Sequence, residues 1–269
     1  MKSDPSDMSF SVSMLKKTME WSSDAKGVFG TPGNVVSPKF WQMLRDMMRF
    51  NAEAPKLLEE GGDGDMTLGA FLEKGHYSAA FCDYYLFPMV ACVWSATAEN
   101  VLGFPARTLI RFMVNHHLVS LDKPQWRTVS GRSREYVRRL SEPFRSRLHL
   151  NAPVGSIVRR AKAGAGKADP SAQSPLEGSA YESVVTLESG EEHVFDHVVL
   201  ACHPDQALRI LGSGATPAER EVLSAFHYEP NTAYLHRDAS LMPERRACWT
   251  SWNFIGHGKL DGETAPAPP

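Results

Sequence analysis

The side chains with chemistry to offer are ten histidines, four cysteines and a dense set of aromatics. His116 and His117 are adjacent. Neighbouring positions on a helix point about 100° apart, so the pair cannot readily share one ion. Cys202-His203 has the same limitation, and neither an HExxH nor a CxxC pair occurs; this spacing gives no reason to expect a metal. Cys202 could act as a thiol nucleophile only with a base within hydrogen-bond reach; otherwise a cysteine at a strand end is a small packing residue. Tyr84, Tyr85, Trp94 and Trp252 make either ordinary core or the apolar wall of a pocket for a flat cofactor or a lipid-like substrate. "SGRS" (130–133) stands at a helix start, where backbone N–H groups and Arg132 could receive an anionic or flat polar ligand.

Bulk composition narrows the setting. The chain has 269 residues, 42% apolar and 22% charged, with a net charge of −2. Nothing in that balance points to nucleic acid. One stretch departs from it: residues 119–160 hold ten Lys/Arg against three Asp/Glu. This is either a solvated helix face or a surface for phosphate or anionic lipid head groups, hence a candidate peripheral membrane contact. Cys82, Cys92, Cys202 and Cys248 are scattered, which implies reduced thiols and an intracellular, cytoplasmic setting. No apolar run marks a signal peptide. The most apolar window, "YYLFPMVACVW" (84–94), is too short to span a bilayer and carries Pro88.

These residues need elements to position them. "MSFSVSM" (8–14) alternates like a strand, with "MEW" (19–21) as a hairpin partner. Ser37 and Pro38 open a helix with Phe40, Trp41, Leu44, Met47 and Met48 on one face, ended or bent by Pro55. Further helices start at Thr67, Ser78 and Pro105, so 37–118 is expected to be helical. "WRTVSGRSREYVRRL" (126–140) predicts strand, Gly131 turn and helix capped by Ser133, with Tyr136, Val137, Leu140 and Phe144 inward. Residues 148–160 and 181–203 alternate as strands around a Ser189-Gly190 turn, separated by a low-complexity insert at 161–179. "FDHVVLACHPDQALRIL" (195–211) predicts strand, turn and helix. Thr216 to Glu219 forms a capping box. "NTAYLHRD" (231–238) and "RACWTSWNF" (246–254) are expected to pair as strands. The Pro-rich tail is expected to be disordered. Domain boundaries follow: a mostly helical part at 1–118, an α/β part at 119–212, a helix and strands at 213–258, and the tail at 259–269.

The order of "WRTVSGRSREYVRRL", "LHLNAPVGSIVRR" and "VVTLESGEEHVFDHVVLACHPDQAL" resembles the middle of flavin-containing amine oxidases and phytoene-desaturase-like oxidoreductases. "SDMSFSVS" (6–13), "FPARTLIRF" (104–112), "PQWRTVSGRSREYV" (124–137) and "NTAYLHRDASLMPERRACWTSWNF" (231–254) look closer still to one subgroup. Its members are predicted NAD/FAD-binding proteins that accompany cyclopropane-fatty-acid synthases. The resemblance covers residues 3–255.

That resemblance implies a mixed α/β class: the central part of a two-domain FAD-dependent fold, with a helical substrate subdomain and a partial FAD-binding domain. It implies hydride transfer from an apolar or lipid-like substrate to FAD. By position, Gly131, Arg132 and Ser133 would sit near the flavin. Val154 would contact adenine by its backbone. Ala201, Cys202, His203 and Pro204 would close over the nucleotide, while Tyr84, Tyr85, Trp94 and Trp252 would line the substrate pocket. A methyltransferase of the cyclopropane-synthase type is an implied partner. Two departures matter. The family's GxGxxG unit and its second flavin segment do not occur here, and Arg132 stands where the family keeps a second glycine. FAD binding by this chain is therefore expected to be weak or absent. The alternative is a non-catalytic remnant or partner-binding module.

Overall fold

The computed structural model describes residues 1–14, 19–24, 26–59, 66–94, 98–120, 124–162, 181–228 and 232–256. The chain is a mixture of helices and strands in small sheets, and it divides into two compact units. The larger comprises Met1–Val137 with Asn231–Pro269, and the smaller Arg138–Pro230. The loop "GGDGD", the low-complexity insert beyond 162 and the Pro-rich tail lie outside the described residues.

The larger unit begins with β1 (Ser3–Pro5), β2 (Phe10–Met14) and β3 (Met19–Ser22). β2 and β3 pair antiparallel, as the alternation of 8–21 predicts. Ser37 caps α1 (Pro38–Glu53) by accepting the N–H of Phe40, and Pro38 fills the first helical position. The buried stripe of α1 is Phe40, Met43 and Phe50, with Leu44 and Met47 packed beside it. Trp41 and Met48 lie off that stripe and are half exposed. The Trp41 indole N–H donates to the Val35 carbonyl at 2.7 Å. α1 stops before Pro55, and α2 (Lys56–Glu59) follows. Thr67 caps α3 (Leu68–Lys74) and Ser78 caps α4 (Ala79–Phe81).

A π-helical stretch, Cys82–Leu86, joins α4 to α5 (Phe87–Trp94). Proline explains part of it. Pro88 has no N–H to donate back to the Tyr84 carbonyl. That carbonyl instead accepts the Trp21 indole N–H at 3.1 Å, which ties the helix to β3. The Phe87 N–H reaches Cys82, one residue further back than in an α-helix. α6 (Ala98–Gly103) and α7 (Ala106–Asn115) complete the helical layer. Its core with the hairpin includes Val12, Met14, Trp21, Phe81, Leu86 and Ile110.

β4 (Arg127–Val129) pairs antiparallel with β1, and α8 (Arg132–Ser141) follows. The helix begins at Arg132, so Ser133 lies in its first turn and is not its cap. Tyr136, Val137, Leu140 and Phe144 are exposed, contrary to the inward face expected of them. Amphipathic spacing supplies an apolar face but not a surface to cover it.

In the smaller unit β5 (Val154–Ala161), β6 (Tyr181–Leu187) and β7 (Glu192–Phe195) form an antiparallel sheet in that order. α9 (Pro204–Leu211) packs on β5 and α10 (Pro217–Ser224) on α9. Ile157, Val185, Leu211 and Ala215 make a second core. The Thr216–Glu219 capping box is present, with reciprocal bonds of 3.2 and 2.8 Å. Residues 196–203, read as a strand, join no ladder among the described residues, and Val199 is 90% exposed. A β-run is stable only where a neighbour takes its N–H and C=O groups.

The final strand of the larger unit is β8 (Trp252–Ile255). It does not pair with the segment 232–238, which has no strand. β8 lies parallel to β2, giving the order β3-β2-β8. Asn253 fixes that register: its Oδ1 accepts the Ser11 hydroxyl at 2.8 Å.

Candidate functional site

The β1–β4 ribbon borders two depressions of opposite character. Ser6 donates its N–H to the Trp126 carbonyl at 2.8 Å, continuing the ladder beyond β1. One is a cavity of about 280 Å³. Phe10, Tyr85, Met89, Phe112, Trp126 and Trp252 form most of its wall, with His116 and His117 beside them. Among the described residues that line it there is no carboxylate, lysine or arginine. The other is a polar cleft lined by Asp4, Ser6, Thr128, Val129, Gly131 and Arg132.

Aromatic stacking shapes the cavity. Trp94 lies 4.4 Å from Phe112, Phe112 lies 4.1 Å from His116, and His116 stacks on Trp126 at 6.3 Å and 14°. Of the four aromatics expected to form a pocket wall, Tyr85 and Trp252 line the cavity. Trp94 supports the wall from behind Phe112. Tyr84 is not among the lining residues; its side chain packs against the core, and its backbone carbonyl accepts the Trp21 indole N–H. Phe10, Phe112, Trp126 and the two histidines belong to the wall as well. Nothing in the sequence marks Trp126 as sharing a wall with Trp252, yet both line this cavity.

Tyr85 is placed by the π-helical stretch and stacks between Trp21 and Phe81, with centroids 5.9 and 5.5 Å away. Its side chain is 7% exposed, and burial pushes its phenol up to about 12. The phenol is therefore a protonated donor across the physiological range.

The cleft holds the turn between β4 and α8. Gly131 has φ +84° and Arg132 φ +63°, two successive left-handed residues. The conformation suits glycine and strains arginine. Such a turn directs consecutive N–H groups to one side, and the start of α8 adds its own unpaired N–H groups. The Ser130 hydroxyl donates to the Asp4 carboxylate at 2.8 Å, so the cleft also offers a fixed acceptor.

The remaining expected cofactor residues fall in the smaller unit. Val154 opens β5 opposite Leu187, beside a bulge before Ser156. Ala201, Cys202 and His203 precede α9 and Pro204 starts it. The His203 ring stacks on Tyr228 at 4.4 Å and 4°. Cys202 is exposed and in neither core, so it does not play the packing role of a strand-end cysteine.

Elsewhere, buried carboxylates serve structure. Glu20, fully buried, accepts the Ser13 hydroxyl at 2.7 Å and the N–H groups of Glu244 and Arg245 at 2.8 and 3.0 Å. Asp46, also buried, accepts the Ser78 N–H at 2.9 Å and faces Arg45 and Arg49. Among the described residues no group of three or more His, Cys, Asp or Glu could hold a metal ion, and no helix is long and apolar enough to cross a membrane. No family model matches the chain, and neither does any curated protein.

Proposed function

We propose that this chain carries the substrate pocket and one flank of the cofactor site of a FAD-dependent oxidoreductase of the amine-oxidase or desaturase kind, acting on an apolar or lipid-like substrate. The supporting observation is the ribbon itself. It carries a strand–glycine–helix turn beside a polar cleft at one end and an aromatic cavity at the other.

The cleft suits one edge of a flavin. The backbone N–H groups at Gly131–Ser133 and the Arg132 guanidinium would hold its carbonyl oxygens or a phosphate, and Asp4 would accept from a ring N–H. A whole dinucleotide needs more than these residues offer, because no GxGxxG turn occurs in the sequence. When bound, the flavin would supply the hydride acceptor. The chain's part is to orient an apolar substrate between Phe112, Trp126 and Trp252 and to exclude water from it.

A second reading, a partner-binding module without flavin chemistry, is favoured by one feature of the smaller unit. Val194, Phe195 and Val199 are exposed beside a segment with no strand partner among the described residues. Titration of the purified chain with FAD, followed by flavin fluorescence, separates the two readings. The oxidoreductase reading expects weak but saturable quenching, reduced further by Arg132→Asp. Fluorescence that rises linearly with FAD throughout the titration would refute it and leave the second reading.

A further inference from the structure

The cavity walls are mostly apolar; Ser9, Ser23 and Ser120 also line them, and one further wall residue carries a polar atom that no described neighbour satisfies. Tyr85 lines the cavity and is 7% exposed. Its ring is fixed by Trp21 and Phe81, and its hydroxyl makes no hydrogen bond with any described residue. Among the described residues the one sealed side-chain oxygen or nitrogen without a partner is Asn51 Oδ1. The Tyr85 hydroxyl is therefore not sealed in the core and opens to the cavity. A phenol hydroxyl open to a mostly apolar space is a donor that a bound acceptor can take.

We propose that the cavity binds a neutral, mostly hydrocarbon molecule bearing one oxygen acceptor, a ketone, ester or alcohol, which takes the Tyr85 hydrogen bond. Size and charge set the class. At about 280 Å³ the cavity lies at the small end of ligand pockets, which run from roughly 300 to 1,000 Å³. A charged group in that space would find no Lys, Arg, Asp or Glu among the described lining residues, and a charge buried without a partner is costly. Tyr85, held as a phenol up to about 12, offers a donor and no countercharge. His116 and His117 line the cavity and are exposed. The inference rests on taking the cavity as the substrate pocket of the proposed function, and it narrows that substrate to an oxygenated, uncharged aliphatic.

The test uses the full chain and three probes of matched length: 2-nonanone, nonanoate and nonylammonium. Trp126 and Trp252 line the cavity, so quenching of tryptophan fluorescence reports binding directly. The ketone is expected to bind one to one and at least tenfold more tightly than either ion. Tyr85→Phe keeps the ring and removes only the hydroxyl. It should weaken the ketone about fivefold, the equivalent of one neutral hydrogen bond, while leaving the melting temperature of the free protein unchanged. Equal affinity for the ketone in both proteins, or preference for either ion, overturns the proposal. So does a Tyr85→Phe protein of lowered melting temperature, since that would show the hydroxyl to be structurally paired. Ketone binding without FAD quenching would leave this inference standing and refute the oxidoreductase reading; quenching without ketone binding would do the reverse.

Discussion

Replacing Glu20 by Gln should destabilise the larger unit by about 3 kcal/mol. The carboxylate is fully buried and takes four donors: the Ser13 hydroxyl, the Glu244 and Arg245 N–H groups, and the Arg245 guanidinium at 3.3 Å. One oxygen serves Ser13 and Glu244, the other both donors of Arg245. Glutamine keeps a single acceptor and puts an NH₂ group at the other position. The Arg245 side chain is 33% exposed and can turn to water, but its backbone N–H is left facing a donor. An orphaned buried N–H costs about 1–3 kcal/mol, and the lost charge on the remaining bonds adds about 1 kcal/mol. For a domain of this size that corresponds to a fall of roughly 6–12 °C in melting temperature. The pH dependence gives an independent check. Burial pushes the Glu20 carboxyl up, but the hydrogen bonds from Ser13, Glu244 and Arg245 outweigh it and hold the group below its ordinary 4.5. A depressed carboxyl contributes stability that is complete above its unfolded value and lost as pH falls through the folded one. Urea unfolding from pH 7 to pH 3 should therefore show a shallower acid loss in Glu20→Gln, with the rest of that loss carried by carboxyls that shift the same way, Asp46 and Glu219 among them. A change below about 1 kcal/mol at pH 7, or an unchanged acid limb, would refute the reasoning.

Three further outcomes follow from local features. Arg132→Gly should raise stability by roughly 1 kcal/mol in urea unfolding, because φ +63° strains any residue with a Cβ; Arg132→Val should lower it. Alkylation by iodoacetamide at pH 8 should modify Cys202 well before the others, as seen by peptide mass mapping. Burial holds the thiols of Cys82, Cys92 and Cys248 up at about 12, 11 and 11, while Cys202 is exposed. Thr216→Ala removes a capping bond from α10 and should cost about 1 kcal/mol, read as faster amide exchange in α10 than in α1.

The parts of the fold legible from the sequence were those decided by near neighbours. Ser37-Pro38, Thr67 and Thr216 to Glu219 start helices because a side chain two or three residues away satisfies an exposed N–H. The β2–β3 hairpin needs only its own alternation. The misreadings share another cause. The strand expected at 196–203, the pairing of 231–238 with β8, and the inward face of α8 all depend on partners far along the chain. β8 chose β2 over its sequence neighbour, a choice that alternation cannot express. The candidate site divides the same way. Gly131 was visible as a turn glycine, and Tyr85 and Trp252 as aromatics. That Tyr85 faces a cavity follows from Pro88 freeing the Tyr84 carbonyl for Trp21, a bond across 63 positions.

β2 sits between β3 and β8, and the residues that bond Ser11 to Asn253 are 242 positions apart. At about 5–20 residues per second of synthesis, β2 waits roughly 12–50 s after translation before its second neighbour exists. Throughout that interval one edge of a strand carrying Val12 and Met14 is open, the condition under which nascent chains pair wrongly with one another. The smaller unit, contiguous from Arg138 to Pro230, is synthesised entirely within the wait. Birth order in the cell thus runs opposite to position in the chain. The unit that starts last can finish first, and the cavity beside β2 is among the last features to close.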